Sequence, residues 1–168
     1  MMELAGLTEI KINKPNPINL INHYKSQVIS TPQTRDKLDL TIKCIKSILY
    51  LFEDVYPDNN SPRKAIEAAE ECIYDPNDET LDNAYKAYED NDANYRANQL
   101  DRDDANNKQE AAAIISAEAG WIAYQAQAYT NSPTPPDQRK SYYLEVINKE
   151  CVQILDNLIK AVKIYFNI

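Results

Sequence analysis

Residues 111–123 read Ala111-Ala112-Ala113-Ile114-Ile115-Ser116-Ala117-Glu118-Ala119-Gly120-Trp121-Ile122-Ala123, and the pattern continues through Ala126 and Ala128. Alanine is the strongest helix former, so the local preference of this stretch is helical. Small residues occupy nearly every face, which lets neighbouring helices approach from several sides. The stretch therefore predicts a buried helix at the centre of a bundle, with Trp121 filling the gap that the alanines leave. A membrane-dimerisation reading fails, because Glu118, Gln125 and Gln127 interrupt a run that is too short for it.

Four capping residues followed by proline punctuate the rest of the chain: Asn16-Pro17, Thr31-Pro32, Ser61-Pro62 and Thr134-Pro135. The side-chain oxygen accepts a bond from an orphan amide of the first turn, and proline there forgoes only an N–H that would go unpaired. Each pair predicts a helix start, the last reinforced by Asp137. Apolar periodicity fills the intervals. Leu38, Ile42, Ile45, Leu49, Phe52 and Val55 form one stripe over residues 32–56, and Ala65, Ile66, Ala69, Cys72 and Ile73 share a face after Pro62. Leu81, Ala84, Tyr85 and Tyr88 mark a further helix. Tyr143, Ile147, Cys151, Ile154, Leu158, Val162 and Tyr165 mark a long last one over residues 135–166. The expectation is an all-α, single-domain bundle of five to seven helices spanning residues 16–168. Residues 1–15, where Leu7, Ile10 and Ile12 partly alternate, are expected to form an arm, a short strand or a disordered lead-in.

Composition narrows the class further. Two glycines in 168 residues disfavour hairpin-rich β folds and phosphate-cradling loops, both of which need glycine's freedom. Cys44, Cys72 and Cys151 are odd in number and lie among apolar residues, which predicts reduced core thiols in a cytoplasmic, disulfide-free protein. No cationic leader with an apolar run opens the chain, and nothing approaches the roughly 20 apolar residues of a membrane span.

Charge is unevenly distributed. Residues 67–110 hold 14 Asp/Glu against 4 Lys/Arg, a net of −10, whereas the remainder holds 12 acids and 14 bases. The formal −8 of the chain thus comes from one tyrosine-bearing segment. Such a segment suits a basic partner. The partner-binding candidates are Glu89, Asp90, Asp92, Tyr95, Asp101, Asp103 and Asp104. Tyrosine provides large contact area at low entropic cost, and Tyr74, Tyr88 and Tyr95 lie near acidic residues and are candidates for a binding surface, whereas Tyr85, Tyr143 and Tyr165 are expected to point inward.

Chemistry other than binding is poorly supported. Asp90-x-Asp92-x-Asn94-x3-Asn98-x2-Asp101 has the ligand spacing of a calcium loop, but Tyr95 stands where that loop needs glycine, and Asp101 is short for bidentate reach. A solvated acidic helix end is the better reading. Asp101-Arg102-Asp103-Asp104 has no apolar surroundings to raise a carboxylate pKa, and reads as an exposed acidic turn capping the next helix. His23 is the only histidine, which excludes multi-histidine metal sites and predicts a residue at or near a helix surface. No cofactor, metal or catalytic set is expected. Nucleic acid is disfavoured by the overall field, although Lys37, Lys43 and Lys46 share one helix and form a conceivable basic patch.

Taken together, Pro62-Arg63-Lys64-Ala65-Ile66-Glu67-Ala68-Ala69, the Ala-Ala-Ala and Gly-Trp elements of residues 111–128, and a long last helix with Cys151 and Leu155 resemble the α-helical immunity proteins found beside bacterial polymorphic toxins. The resemblance covers roughly residues 62–158. It implies a non-enzymatic inhibitor that binds a cognate toxin, with the acidic segment as its contact surface. Reversal of Asp101, Asp103 and Asp104 to lysine is then expected to slow association. The alternative is a structural or adaptor bundle that self-associates, as a homo-oligomer, or docks another helix through its last helix. An enzyme with an unrecognised carboxylate site is the third reading.

Overall fold

A computed structural model describes residues 16–98, 100, 102–131 and 141–168. Among these residues lie seven helical segments: α1 (Pro17–Ser30), α2 (Thr34–Ile48), α3 (Tyr50–Val55), α4 (Ser61–Tyr74), α5 (Asp78–Ala97), α6 (Asn107–Thr130) and α7 (Ser141–Phe166). Leu49 alone separates α2 from α3, so the single stripe expected over residues 32–56 runs through an interruption, and the described residues form six rods. No strand occurs among the described residues, and the all-α bundle is observed. The expected arm over residues 1–15, the start at Thr134-Pro135, Asp101 and the side chain of Tyr143 lie outside the described residues.

Local chemistry explains where the helices begin. Asn16 caps α1, its side chain accepting from the Ile18 amide at 2.8 Å. The Thr31-Pro32 start is a misreading: Thr31 closes α1, its amide and hydroxyl both donating to the Gln27 carbonyl. A residue before proline is pushed out of the α region, so Thr31 is extended and α2 begins only at Thr34. The start at Ser61-Pro62 is observed, but the capping oxygen belongs to Asn59, whose Oδ1 accepts from the Ser61 amide and hydroxyl. Two capping boxes were not anticipated. Asn77 and Thr80 satisfy each other's amides at the start of α5, and Asn106 and Gln109 do the same at α6. The acids of residues 103–104 therefore precede α6 without capping it.

The alanine-rich α6 is central, packed against α2, α3, α4, α5 and α7. Ala111, Ala112, Ala119, Ala123 and Ala126 are fully buried. Around them close Leu38, Ile42, Ile45 and Phe52 from α2–α3, Ile66 and Ile73 from α4, and Ile147, Ile154, Leu155 and Leu158 from α7. Each such apolar side chain contributes roughly 1.5–3 kcal/mol of transfer free energy. All three cysteines are buried and free, and burial pushes the thiols of Cys44 and Cys151 up to about 12 and about 11. α1 closes the side of α2 and α7 away from α4 and α5. Lys37 is buried there, its ammonium donating to the Val28 carbonyl at 2.5 Å near the end of α1. Lys43 pairs with Asp39 and Lys46 with Glu70, so the three lysines make no shared basic patch.

Polar ties fix the periphery. Arg63 of α4 grips Glu53 of α3 in a two-pronged pair, at 2.6 and 2.8 Å, which lowers the Glu53 pKa. Tyr165 is buried as expected and donates to Asp54 at 2.6 Å. Burial, followed by that aspartate, raises its phenol to about 12. No helix among the described residues is long and apolar enough to cross a membrane.

Candidate functional site

α5 sits at the edge of the bundle, with α4 and α6 as its neighbours. Its buried residues are Thr80, Ala84 and Asn91. At 3.6 residues per turn these three fall within an arc of about 40°, while Asp78, Glu79, Asp82, Glu89, Asp90 and Asp92 span roughly 160° on the opposite side. The acids of α5 are thus gathered on its outer face. Helical geometry also removes the calcium-loop reading, because Asp90 and Asp92 diverge by about 200° around a continuous helix. No group of three or more His, Cys, Asp or Glu able to hold a metal ion occurs among the described residues.

Part of this charge is locally paired. Lys86 meets Asp90 at 3.2 Å, Arg96 meets Asp92, and Arg102 meets Asp104 at 3.2 Å. These pairs are largely exposed and weak, and pairing within the segment leaves its net −10 unchanged. The segment's remaining cation, Lys108, lies 5.0 Å from the centre of the Tyr165 ring. Glu89 and Asp103 are exposed and have no ion-pair partner among the described residues.

Between the outer acids and the buried strip, the flank of α5 turned to α6 carries Leu81, Tyr88 and Tyr95, all half-buried. This is the seven-residue stripe legible in their spacing. Tyr88 packs on Tyr124 of α6 at 5.2 Å between ring centres, and Tyr124 stacks on Trp121 at 5.2 Å with rings 7° from parallel. Tyr85 joins Tyr88 at 6.1 Å but is 41% exposed, so its expected inward orientation is wrong: it lies beyond the buried arc, on the solvent side of this aromatic row. Trp121 is likewise no core plug. It is half-buried at the rim, and its indole N–H donates to Glu150 of α7 at 2.7 Å.

The floor of the flank is set by Gly120. A Cβ there would stand 2.7 Å from Asn91 Nδ2, and this nitrogen donates to the Ser116 carbonyl at 2.9 Å. The missing side chain lets a buried amide reach the α6 backbone. A cavity of about 300 Å³ opens above this contact, lined by Tyr88, Asp92, Tyr95, Ala117, Gly120 and Trp121, with Asn91 behind. Burial, then the Asp92 charge, raises the Tyr88 pKa. A larger depression of about 450 Å³ is lined by Val55, Tyr56 and Pro57, by the amides of Asn59, Asn60, Asn94 and Asn98, and by the exposed Asp58.

Behind the rim, Glu118 of α6 is 7% exposed and accepts from Asn157 of α7 at 3.0 Å. Burial raises its pKa to about 6, against the pull of that hydrogen bond, and Glu150 adds repulsion. Glu118 and Glu150 are neighbouring acids, but each is hydrogen-bonded between α6 and α7, and neither lines the α5–α6 cavity.

The structure therefore brings Asp92 and Tyr95 to one cavity, leaves Glu89 and Asp90 on the outer face of α5, and puts Asp103 and Asp104 in the exposed turn before α6. Asn91, Gly120, Trp121 and Tyr124 complete the arrangement and were not among the candidates. Gly120 did carry a signal: a glycine inside an alanine helix costs about 1 kcal/mol against alanine, which points to a close approach. Compared with protein-family models, curated proteins and solved structures, the chain gives no match.

Proposed function

We propose that the protein is a non-enzymatic binding module that engages a basic protein partner through the outer face of α5 and its aromatic flank. One observation carries this reading: the acids of α5 share one exposed arc, bordered by the half-buried tyrosines of the α6 side. Charge gathered in this way speeds encounter with a cationic surface, and aromatic side chains beside it supply contact area once the partner docks. The resemblance to immunity proteins gives the reading its specific form, an inhibitor that covers the basic cleft of a toxin acting on nucleic acid. Self-association through α7 is less supported. Among its described side chains, Val146 and Phe166 are the large apolar exposed ones, and they stand about 30 Å apart along the helix.

The test is kinetic. Under this reading the partner is a toxin encoded beside this chain, and it is mixed with the native chain and with an Asp82→Lys/Glu89→Lys/Asp90→Lys variant, all three exposed on the outer face of α5. Association should fall at least about tenfold at low salt, with dissociation nearly unchanged, as for rim charges that steer encounter. Equal association rates for the two proteins would remove the acidic face from the interface.

A further inference from the structure

The cavity between α5 and α6 has a composition that neither the outer acids nor the core requires. It is lined by the aromatic Tyr88, Tyr95 and Trp121, by the small Ala117 and Gly120, and by Asn91, with Asp92 as its one acidic side chain. Aromatic faces attract cations through their quadrupole, and a carboxylate at the rim adds a full opposite charge. The volume of about 300 Å³ is at the lower end of small-ligand sites, the scale of a side-chain head group.

We propose that this cavity is an arginine-binding site, taking the guanidinium of one arginine side chain from the basic partner against the Tyr88, Tyr95 and Trp121 rings and onto Asp92. This deepens the binding-module reading and rests on it for the source of the arginine. Arginine is favoured over lysine for two reasons. A planar guanidinium stacks on rings and meets a carboxylate through two parallel N–H groups, whereas an ammonium is a compact and strongly hydrated point charge. In addition, Asp92 already accepts a guanidinium, that of Arg96 one turn along α5. Arg96 is 74% exposed, and such i,i+4 pairs are weak, so an incoming arginine that also gains ring contacts displaces it readily.

The chain's single tryptophan makes the test direct, because Trp121 lines the cavity and its indole N–H gives a unique nuclear magnetic resonance signal. The probe is N-acetyl-arginine methylamide, with N-acetyl-lysine methylamide as its counterpart. The arginine probe should give a saturable shift at low-millimolar concentration, with the lysine probe at least about threefold weaker. Asp92→Asn should weaken arginine binding by about fivefold or more, while Arg96→Gln, which removes the internal competitor, should tighten it about twofold. Lys86→Gln removes the same charge from α5 away from the cavity and should leave affinity unchanged. Absence of saturation, equal binding of the two probes, or equal tightening by Arg96→Gln and Lys86→Gln would overturn the site in favour of bare charge attraction. Both substitutions on the cationic side are at exposed positions, so the result stands even if Asp92→Asn impairs folding. Failure of the arginine probe alongside charge-dependent partner association would remove the cavity and keep the acidic face. The converse pair of results would keep the cavity and remove the face.

Discussion

α7 and α5 flank the same central helix and are held to it by opposite means. α7 presents Ile147, Cys151, Ile154, Leu155, Leu158 and Val162 as a continuous buried stripe, whereas α5 buries Thr80, Ala84 and Asn91. The first is anchored by transferred apolar area. The second relies on the half-buried Ala87, Tyr88 and Tyr95, a capping box, one side-chain bond to a backbone carbonyl and a glycine that permits close approach. An element without a continuous stripe of large buried aliphatics keeps its outer arc free, and it is the element that carries the acids and the tyrosine row. Function here is proposed where packing demands least.

The contrast can be broken most severely from the α7 side. Leu158→Ala empties a fully buried position between α7 and the core, and should cost about 3 kcal/mol in urea unfolding. No truncation of the buried α5 residues should reach that value. A cost for Asn91→Ala as large as for Leu158→Ala would mean that α5 is as deeply anchored as α7.

The α6–α7 seam has a weakness of its own in Glu118. Its folded-state pKa of about 6 lies above the ordinary 4.5, so burial favours the protonated acid. Its contribution to stability is fully present below about pH 4.5 and is lost as pH rises through 6. Glu118→Gln keeps an acceptor for Asn157 without the charge. It should match the native protein at pH 4 and exceed it by about 1–2 kcal/mol at pH 7.5. A difference independent of pH would show that the carboxylate is not desolvated there.

At the α5–α6 seam the expected sign depends on the partner residue. Gly120→Ala alone drives a Cβ into the Asn91 amide and should cost about 1–2 kcal/mol. In an Asn91→Ala background the collision is gone, and the same change should be neutral or stabilising by up to about 1 kcal/mol through helix propensity. Additive effects in this cycle would mean that the two helices are not locked through this contact.

The smallest effect concerns the caps. Asn77→Ala removes the side-chain acceptor at the start of α5 and should cost about 1 kcal/mol, whereas Gln33→Ala at the start of α2, where no side-chain cap bond exists, should cost little. Thermal unfolding of the two variants checks the pair.

Much of the bundle could be read from residue patterns, because a helix is specified by neighbours three and four apart. The stripes of α2, α4 and α7 emerged with the right buried faces, as did the reduced cysteines and the central place of the alanine helix. Errors arose where one residue has two local options. Thr31 before Pro32 is as good a stop for α1 as a start for α2, and Asn77 and Asn106 look like ordinary loop residues until their partners at 80 and 109 are seen to bond back. The candidate site was read in half. Charge is a matter of composition, and helical spacing places the acids of α5 on one arc and Tyr88 and Tyr95 on another.

Helical class, element order and the concentration of negative charge follow from local preference and counting, and need no knowledge of which surfaces meet. That Tyr85 faces water while Tyr88 is half-buried on Tyr124, and that Asp92 shares a cavity with Trp121, are consequences of one close helix pairing. Residues 91 and 120 set that pairing from 29 positions apart, by an amide filling the space of an absent side chain, a relation that no periodicity within either helix contains.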